Sequence, residues 1–284
     1  MRTVVCEADC MTADGTGVGR FSNLDRPPLD AAALRTALLV PGSLWSDVVV
    51  SEATGSTNAD AAAAARDGAA EGTVFTTYAQ TAGRGRLDRA WSSPPGSGIA
   101  VSVVLRPVSV PAGRWVWLPL LVGLAVDAAV HDLGVASELK WPNDVLVEGR
   151  KLAGILLERV ETPTGPAAVI GVGLNVSMTR EELPAPLATS LALEHATSVD
   201  RTVVLRSMLR TLETLYRAWV VSEGDPATGI RDAYLRRCVT VGAAVRVLMP
   251  DGSERVGTAE TVDEHGRLVV NGQPVSAGDV THVR

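Results

Sequence analysis

The chain has 284 residues, 46% of them hydrophobic and 20% charged, enough apolar material for one large domain and one small one. Its net charge of −6 supplies no global basic field to draw it to nucleic acid or an anionic membrane, so any polyanion must be held by a local basic site. No uncharged apolar run reaches the roughly 18–20 residues that span a bilayer, and the acidic N-terminal stretch lacks the apolar segment of a secretory signal, so neither a membrane nor DNA is expected as a partner and the expected location is cytoplasmic.

Residues 1–28 are polar, contain Gly15, Gly17 and Gly19 and end at Pro27 and Pro28, the composition of a flexible leader. A helix follows over 29–40, stopped by Pro41 and Gly42, and a short strand over 47–53. Ser56, Thr57 and Asn58 place capping side chains directly before the alanine run 59–65, a helix start. Residues 73–80 are β-rich and lead into a loop dense in Gly and Arg, after which 99–105 reads as the next strand. The long apolar pattern over 115–133, unbroken after Pro119, marks a buried helix.

Four strands over 139–141, 145–148, 152–160 and 168–172 are separated by turns at Pro142-Asn143, Glu148-Gly149 and 163–166. Such short connections pair strands antiparallel, because a parallel crossover needs a dozen or more residues. Leu205, Leu209, Leu212, Leu215 and Trp219 recur at helical spacing within 203–221, and a shorter helix over 230–237 closes the region. After Cys238 the texture changes to short alternating strands over 244–248, 255–262, 268–270 and 279–283, a small all-β barrel. The expected organisation is a leader over 1–28, a larger α+β domain over 29–237 built on a mixed, largely antiparallel sheet flanked by helices, and a β domain over 238–284.

The cysteines Cys6, Cys10 and Cys238 form no disulfide framework, and no His or Cys pair completes a metal site around the first two. The histidines His131, His195, His265 and His282 stand in unrelated contexts and receive no catalytic role. The basic residues are more informative. Only Lys140 and Lys151 among the 26 are lysine, and both fall in one short segment. A lysine is a compact point charge, suited to phosphate or carboxylate oxygens where the planar fork of arginine does not serve.

Three constellations can carry chemistry. Gln80, Gly83, Arg84, Gly85, Arg86, Arg89 and Trp91 lie within twelve residues: glycines that admit a ligand to the backbone, three guanidinium forks for anionic oxygens, and an aromatic face for a base. A mobile loop anchored by its tryptophan has the same composition. The spacing is not that of a P-loop, and no Rossmann fingerprint is present. The second constellation, from Lys140 through Asn143, Asp144 and Lys151 to Gly154 and Glu158, reads as strand, turn, strand, turn, strand. Asp144 and Lys151 each open a strand, with the turn between them at the far end and both side chains near one sheet edge. A plain hairpin with an exposed ion pair fits as well. The third, Gly171, Gly173 and Asn175, puts small residues and an amide at a strand end, as a ligand contact or a β-bulge would. Ser56, Thr57 and Asn58 are accounted for by helix capping alone.

In this order, the segments QTAGRGR…RAW, KWPNDV and RKLAGILLE, with STN and GVGLNV around them, resemble the biotin protein ligase family. The resemblance is strong over residues 47–177. It implies a class II synthetase-like catalytic domain followed by a small SH3-like domain, and members without a DNA-binding repressor module. It further implies an ATP- and Mg²⁺-dependent ligase that joins biotin to AMP and passes it to a lysine in the biotin-acceptor (biotin carboxyl carrier) domain of acetyl-CoA or a related carboxylase.

Carried onto this sequence, the family pattern puts biotin with Ser56, Thr57, Asn58, Gln80, Gly83, Arg84, Gly85, Arg86, Lys151 and Gly154. The nucleotide falls to Arg86, Arg89, Trp91, Lys140, Asn143, Lys151 and Asn175, and catalysis to Lys151, Arg84 and Asp144. No residue is assigned to a metal, since magnesium is held mainly by phosphates and water. The sequence departs from the family where Asp88 stands in place of a glycine; an acid in an anion-binding loop opposes phosphate unless it points outward or pairs with Arg86 or Arg89. Two other readings remain. One is a lipoate or octanoate protein ligase, which KWPND with RKLAGI disfavours. The other is a non-catalytic nucleotide- or RNA-binding protein, which the negative net charge disfavours.

Overall fold

The computed structural model describes residues 26–283. Most of the expected leader, with Cys6 and Cys10, lies outside the described residues. Helix α1 (Ala31–Leu38) is shorter than the 29–40 span read from sequence, because Asp30 caps it by accepting from the Ala33 N–H. Strands β1 (Asp47–Thr54) and β2 (Thr73–Gln80) are joined by helix α2 (Thr57–Arg66) and run parallel. The helix makes this possible: it is the long connection that a parallel pair requires.

The glycine-arginine loop holds a two-residue ladder between β3 (Gly83–Arg84) and β4 (Ala90–Trp91), closed by a 3₁₀ turn at Arg86–Asp88. Next come β5 (Gly98–Leu105), α3 (Leu118–His131), β6 (Glu138–Lys140), β7 (Asp144–Val147), β8 (Arg150–Val160), β9 (Ala167–Asn175), α4 (Arg201–Val221) and α5 (Ile230–Arg237). The apolar pattern over 115–133 is a helix only from Leu118; Ala112–Trp117 is a 3₁₀ turn, with Pro119 in the first turn of α3 where its missing N–H costs nothing. The segment Ala112–His131 is long and apolar enough to cross a bilayer although Arg114 and Asp127 interrupt it, so the uncharged-run expectation does not cover it. Here most of it is buried within the fold.

The seven strands lie in the order β1-β2-β5-β9-β8-β7-β6, antiparallel after the first pair. One face carries the main core: Ala168, Ile170, Val172 and Leu174 of β9 pack with the apolar sides of α3 and α4. The other face meets α2, whose Ala61, Ala62 and Ala65 lie against Val104, Val160, Ala167 and Val169. Side chains alternate along a strand, so Gly171 and Gly173 of β9, Ala100 and Ser102 of β5 and Gly154 of β8 all fall on this second face. Past the N-terminus of α2 the sheet surface is therefore made of small residues. That is where the molecule is hollow.

The C-terminal sheet has five antiparallel strands in the order β13-β12-β11-β10-β14, comprising β10 (Ala244–Leu248), β11 (Glu254–Val262), β12 (Leu268–Val270), β13 (Gln273–Val275) and β14 (Asp279–His282). The four-strand reading omitted β13. The sheet is hooked to the rest of the chain by indole donors: Trp141 Nε1 to the Gly266 carbonyl (3.0 Å) and Trp117 Nε1 to that of Glu264 (2.9 Å).

Candidate functional site

A cavity of about 300 Å³ occupies the hollow. Its floor is a network of neutral groups that ends on one carboxylate, Glu158. The Thr57 N–H donates to Gln80 Oε1 (2.9 Å), tying the start of α2 to the end of β2. The Ser102 hydroxyl donates to Asn58 Oδ1 (2.6 Å) and also lies 2.8 Å from Thr57 Oγ1. Asn58 Nδ2 donates in turn to Glu158 Oε2 (2.7 Å). Ser56 caps α2, as its position before the alanine run requires. Two glycines give this network its room. A Cβ on Gly171 would sit 2.1 Å from Asn58 Oδ1, and one on Gly173 would sit 2.3 Å from the Trp91 indole.

The rim is cationic. Gly83 allows the β3–β4 hairpin to close: a Cβ there would lie 2.2 Å from Gln80 Nε2 and 2.3 Å from the Trp91 carbonyl oxygen. Leu87 adopts the left-handed region at φ 54° and is 57% exposed, a conformation that costs a non-glycine residue about 1–2 kcal/mol. The Asp88 side chain lies outside the described residues; the positive φ of this turn falls on Leu87.

Each arginine of the loop has a partner. Arg84 Nη2 is 3.1 Å from Glu158 Oε1, Arg86 donates to Asn143 Oδ1 (3.2 Å) and the Gly278 carbonyl (3.3 Å), and Arg89 pairs with Asp279. Burial lowers the pKa of Arg86, whereas the hydrogen bond from Arg89 holds the Asp279 carboxyl below its usual range and the same bond raises Arg89.

Lys151 Nζ lies 2.7 Å from Asp144 Oδ1 and 5.8 Å from the centre of the Trp91 ring. The turn is not at the far end, as the sequence reading had it. Glu148 and Gly149 form it with positive φ, beside Lys151. The register sets Asp144 opposite Gly154 and Lys151 opposite Leu146, with a bulge after Val145. The lysine stem runs along the strand, over the space that Gly154 leaves, to reach the carboxylate. Asn143 is fixed by reciprocal bonds with Ile155, through its Nδ2 to the Ile155 carbonyl (2.9 Å) and its own carbonyl to the Ile155 N–H (2.9 Å).

Of the residues singled out from sequence, Ser56, Thr57, Asn58, Gln80, Arg84, Gly85, Arg86, Arg89, Trp91, Asn143, Asp144, Lys151 and Gly154 line this one cavity. Gly83, Lys140 and Asn175 do not line it. Gly83 serves the hairpin. Asn175 is 2% exposed and donates to the Thr189 carbonyl (2.8 Å), holding the segment that follows β9. Lys140 stands outside the wall, where its charge acts on Asp279 and His282. Sequence reasoning did not assign Ser102, Glu158, Gly278 or Asp279. The first was accessible from the alternation of small residues at Gly98, Ala100 and Ser102; the last two come from the β domain and carry no local signal.

Neutral donors and acceptors at one end, and three guanidinium groups with an ammonium at the other, suit a small molecule with a polar neutral head and an anionic tail. Residues 52–175 match the Biotin/lipoate A/B protein ligase family, and residues 240–283 match the biotin protein ligase C-terminal domain. The chain is 43% identical over 268 residues to the biotin–[acetyl-CoA-carboxylase] ligase of Mycobacterium tuberculosis, spanning 91% of this chain and 97% of that protein. The chain belongs to the biotin protein ligase family. Another relative, the bifunctional ligase/repressor BirA of Bacillus subtilis, is 31% identical over 242 residues, covering 84% of this chain and 71% of that protein. The biotin protein ligase of Aquifex aeolicus in complex with biotin and ATP superimposes with a TM-score of 0.70 at 22% identity, over 84% of this chain and 100% of that one. The mixed, largely antiparallel sheet with its helices, and the small five-stranded sheet after it, are thus the biotin protein ligase fold.

Proposed function

We propose that this chain is a cytoplasmic, ATP-dependent biotin protein ligase that makes biotinyl-5′-AMP and then biotinylates a lysine in the biotin-acceptor domain of a carboxylase. The observation that carries the reading is the convergence of Lys151, Asp144 and Trp91 with the neutral floor and the three loop arginines in one cavity. Residues 29–237 would act as the catalytic domain and 238–284 as the SH3-like domain.

The first step brings two anions together. A biotin carboxylate oxygen attacks the α-phosphorus of Mg-ATP, the phosphoanhydride bond breaks, and pyrophosphate leaves. The ureido ring of biotin needs both donors and acceptors, which Ser56, Thr57, Asn58 and Gln80 supply. Arg84, the Gly85–Arg86 backbone and Lys151 would face the carboxylate, with Gly154 leaving room for the lysine stem. Lys151 would bridge carboxylate and α-phosphate, offsetting their repulsion where charge builds up. Arg86 and Arg89 would meet phosphates, Trp91 the adenine, and Asn143 the nucleotide from its fixed turn. Lys140 and Asn175, assigned to the nucleotide by resemblance, would act from behind the cavity wall. Magnesium enters as part of the nucleotide substrate, held chiefly by phosphates and water.

In the second step the acceptor amine attacks the acyl carbon, the amide forms and AMP leaves. The amine must first lose a proton, which its ordinary pKa of about 10.4 opposes near neutrality. Asp144 would position the amine and take that proton once Lys151 has turned to the substrate oxygens. The test is incubation with ATP, Mg²⁺, biotin and an acceptor domain, read by intact mass. One biotinyl group per acceptor is expected, with AMP and pyrophosphate released. An acceptor of unchanged mass ends the reading.

A further inference from the structure

Residues 278 and 279 of the β domain satisfy two of the three loop arginines. The Gly278 carbonyl accepts from Arg86, and the Asp279 carboxylate pairs with Arg89. Their position is set by packing inside their own sheet. Asp279 is in register with Leu248 of β10, and a Cβ on Gly278 would lie 2.5 Å from Val247 Cγ1 and 3.0 Å from the Leu248 carbonyl oxygen. Arg89 comes from a solvent-facing loop and is largely exposed. The acid is therefore the fixed member of the pair and the arginine the movable one.

We propose that Asp279 is a nucleotide-gating residue: it occupies Arg89 before ATP arrives, so that nucleotide binding is an exchange of one anion for another on that guanidinium. The inference rests on the ligase reading of the same cavity. Asp279 and Arg89 both line it, and Lys140 and Arg86 add positive potential around the carboxylate. A polyphosphate reaching Arg89 must displace this carboxylate or lie beside it, and like charges that close repel. The exchange also removes one of the loop's two contacts with the β domain, leaving the bond from Arg86 to the Gly278 carbonyl, so ATP arrival changes how the β domain holds the rim. Asp279 touches no reacting atom; it acts through Arg89.

The decisive measurement is the KM for ATP and the kcat in biotin-dependent exchange of pyrophosphate into ATP. An exposed pair of this kind contributes modestly, so Asp279→Asn and Asp279→Ser should lower the KM for ATP by about twofold to fivefold. The expected kcat and KM for biotin are near those of the unaltered protein, and Asp279→Glu, which keeps the charge, should keep its KM for ATP. An unchanged or raised KM for ATP in the charge-removing variants overturns the proposal, as does their failure to fold, which would make the contact a structural brace. Absence of exchange in the unaltered protein would defeat the ligase reading and this inference together, whereas normal exchange with an unmoved KM defeats this inference alone.

Discussion

The floor and the rim of the cavity are built on opposite plans. The floor is neutral and buried and is bonded within one sheet and one helix: Thr57, Asn58 and Ser102 hold one another, and glycines at 171 and 173 are shaped around Asn58 and Trp91. The rim is charged and partly exposed, and its arginines reach partners on different elements: Glu158 on β8, Asn143 in the turn before β7, Asp279 on β14. A preformed floor spends no binding energy on ordering itself and can discriminate by shape and hydrogen bonding. A rim in which Arg84 and Arg89 are paired with carboxylates of the same chain is already partly screened, and must exchange partners when an anionic substrate comes.

Lys151 joins the two, and its removal gives the largest expected effect. Lys151→Ala should slow adenylate synthesis, measured by pyrophosphate exchange, by about a hundredfold to a thousandfold, the usual consequence of losing a positioned charge stabiliser. Near-full activity in that variant would remove the lysine from the mechanism. Asp144→Asn should slow transfer from preformed biotinyl-AMP by about a hundredfold, the lower range for general-base catalysis, while affecting adenylation less. Equal loss in both steps would make Asp144 merely the partner of Lys151.

Gly171→Ala tests the rigidity of the floor. The new methyl group must push Asn58 aside at a cost of about 1–3 kcal/mol, so biotin affinity measured by calorimetry should fall on the order of tenfold. Glu158→Gln tests the rim, since the amide oxygen can still accept from Asn58 Nδ2 while the charge facing Arg84 is lost, and it should change biotin affinity less than about fivefold, because the Arg84–Glu158 pair is substantially exposed. If the Glu158 change exceeds the Gly171 change, the contrast between floor and rim is wrong.

Much of this arrangement was legible in the sequence wherever local rules apply. The β6–β9 meander follows from turns too short for any crossover, and the cap of α2 from Ser56 before an alanine run. Other features depended on competition between elements. Trp115 and Trp117 are apolar enough to extend the helical pattern, yet sit in a 3₁₀ turn because they pack into the core ahead of α3. Strand β13 was hidden by Pro274, which reads as a breaker; at the edge of its sheet no ladder partner needs the missing N–H. Asn175 resembled a ligand contact because an amide at a strand end suits either use, and only the path of the chain to Thr189 shows its bond. Asp279 is the extreme case: it stands more than a hundred residues beyond the loop it meets, and only the docking of two sheets brings them together.

That docking has a consequence for how the molecule comes apart. The indoles of Trp117 and Trp141 are buried and donate to the turn between β11 and β12, while Val245, Val247, Ala259 and Val262 share the same apolar cluster as α3 and β7. Detaching the C-terminal sheet would leave two large aromatic surfaces wet and two donors to find water. The chain should accordingly melt in a single transition, with tryptophan emission reporting the loss of both parts at one temperature.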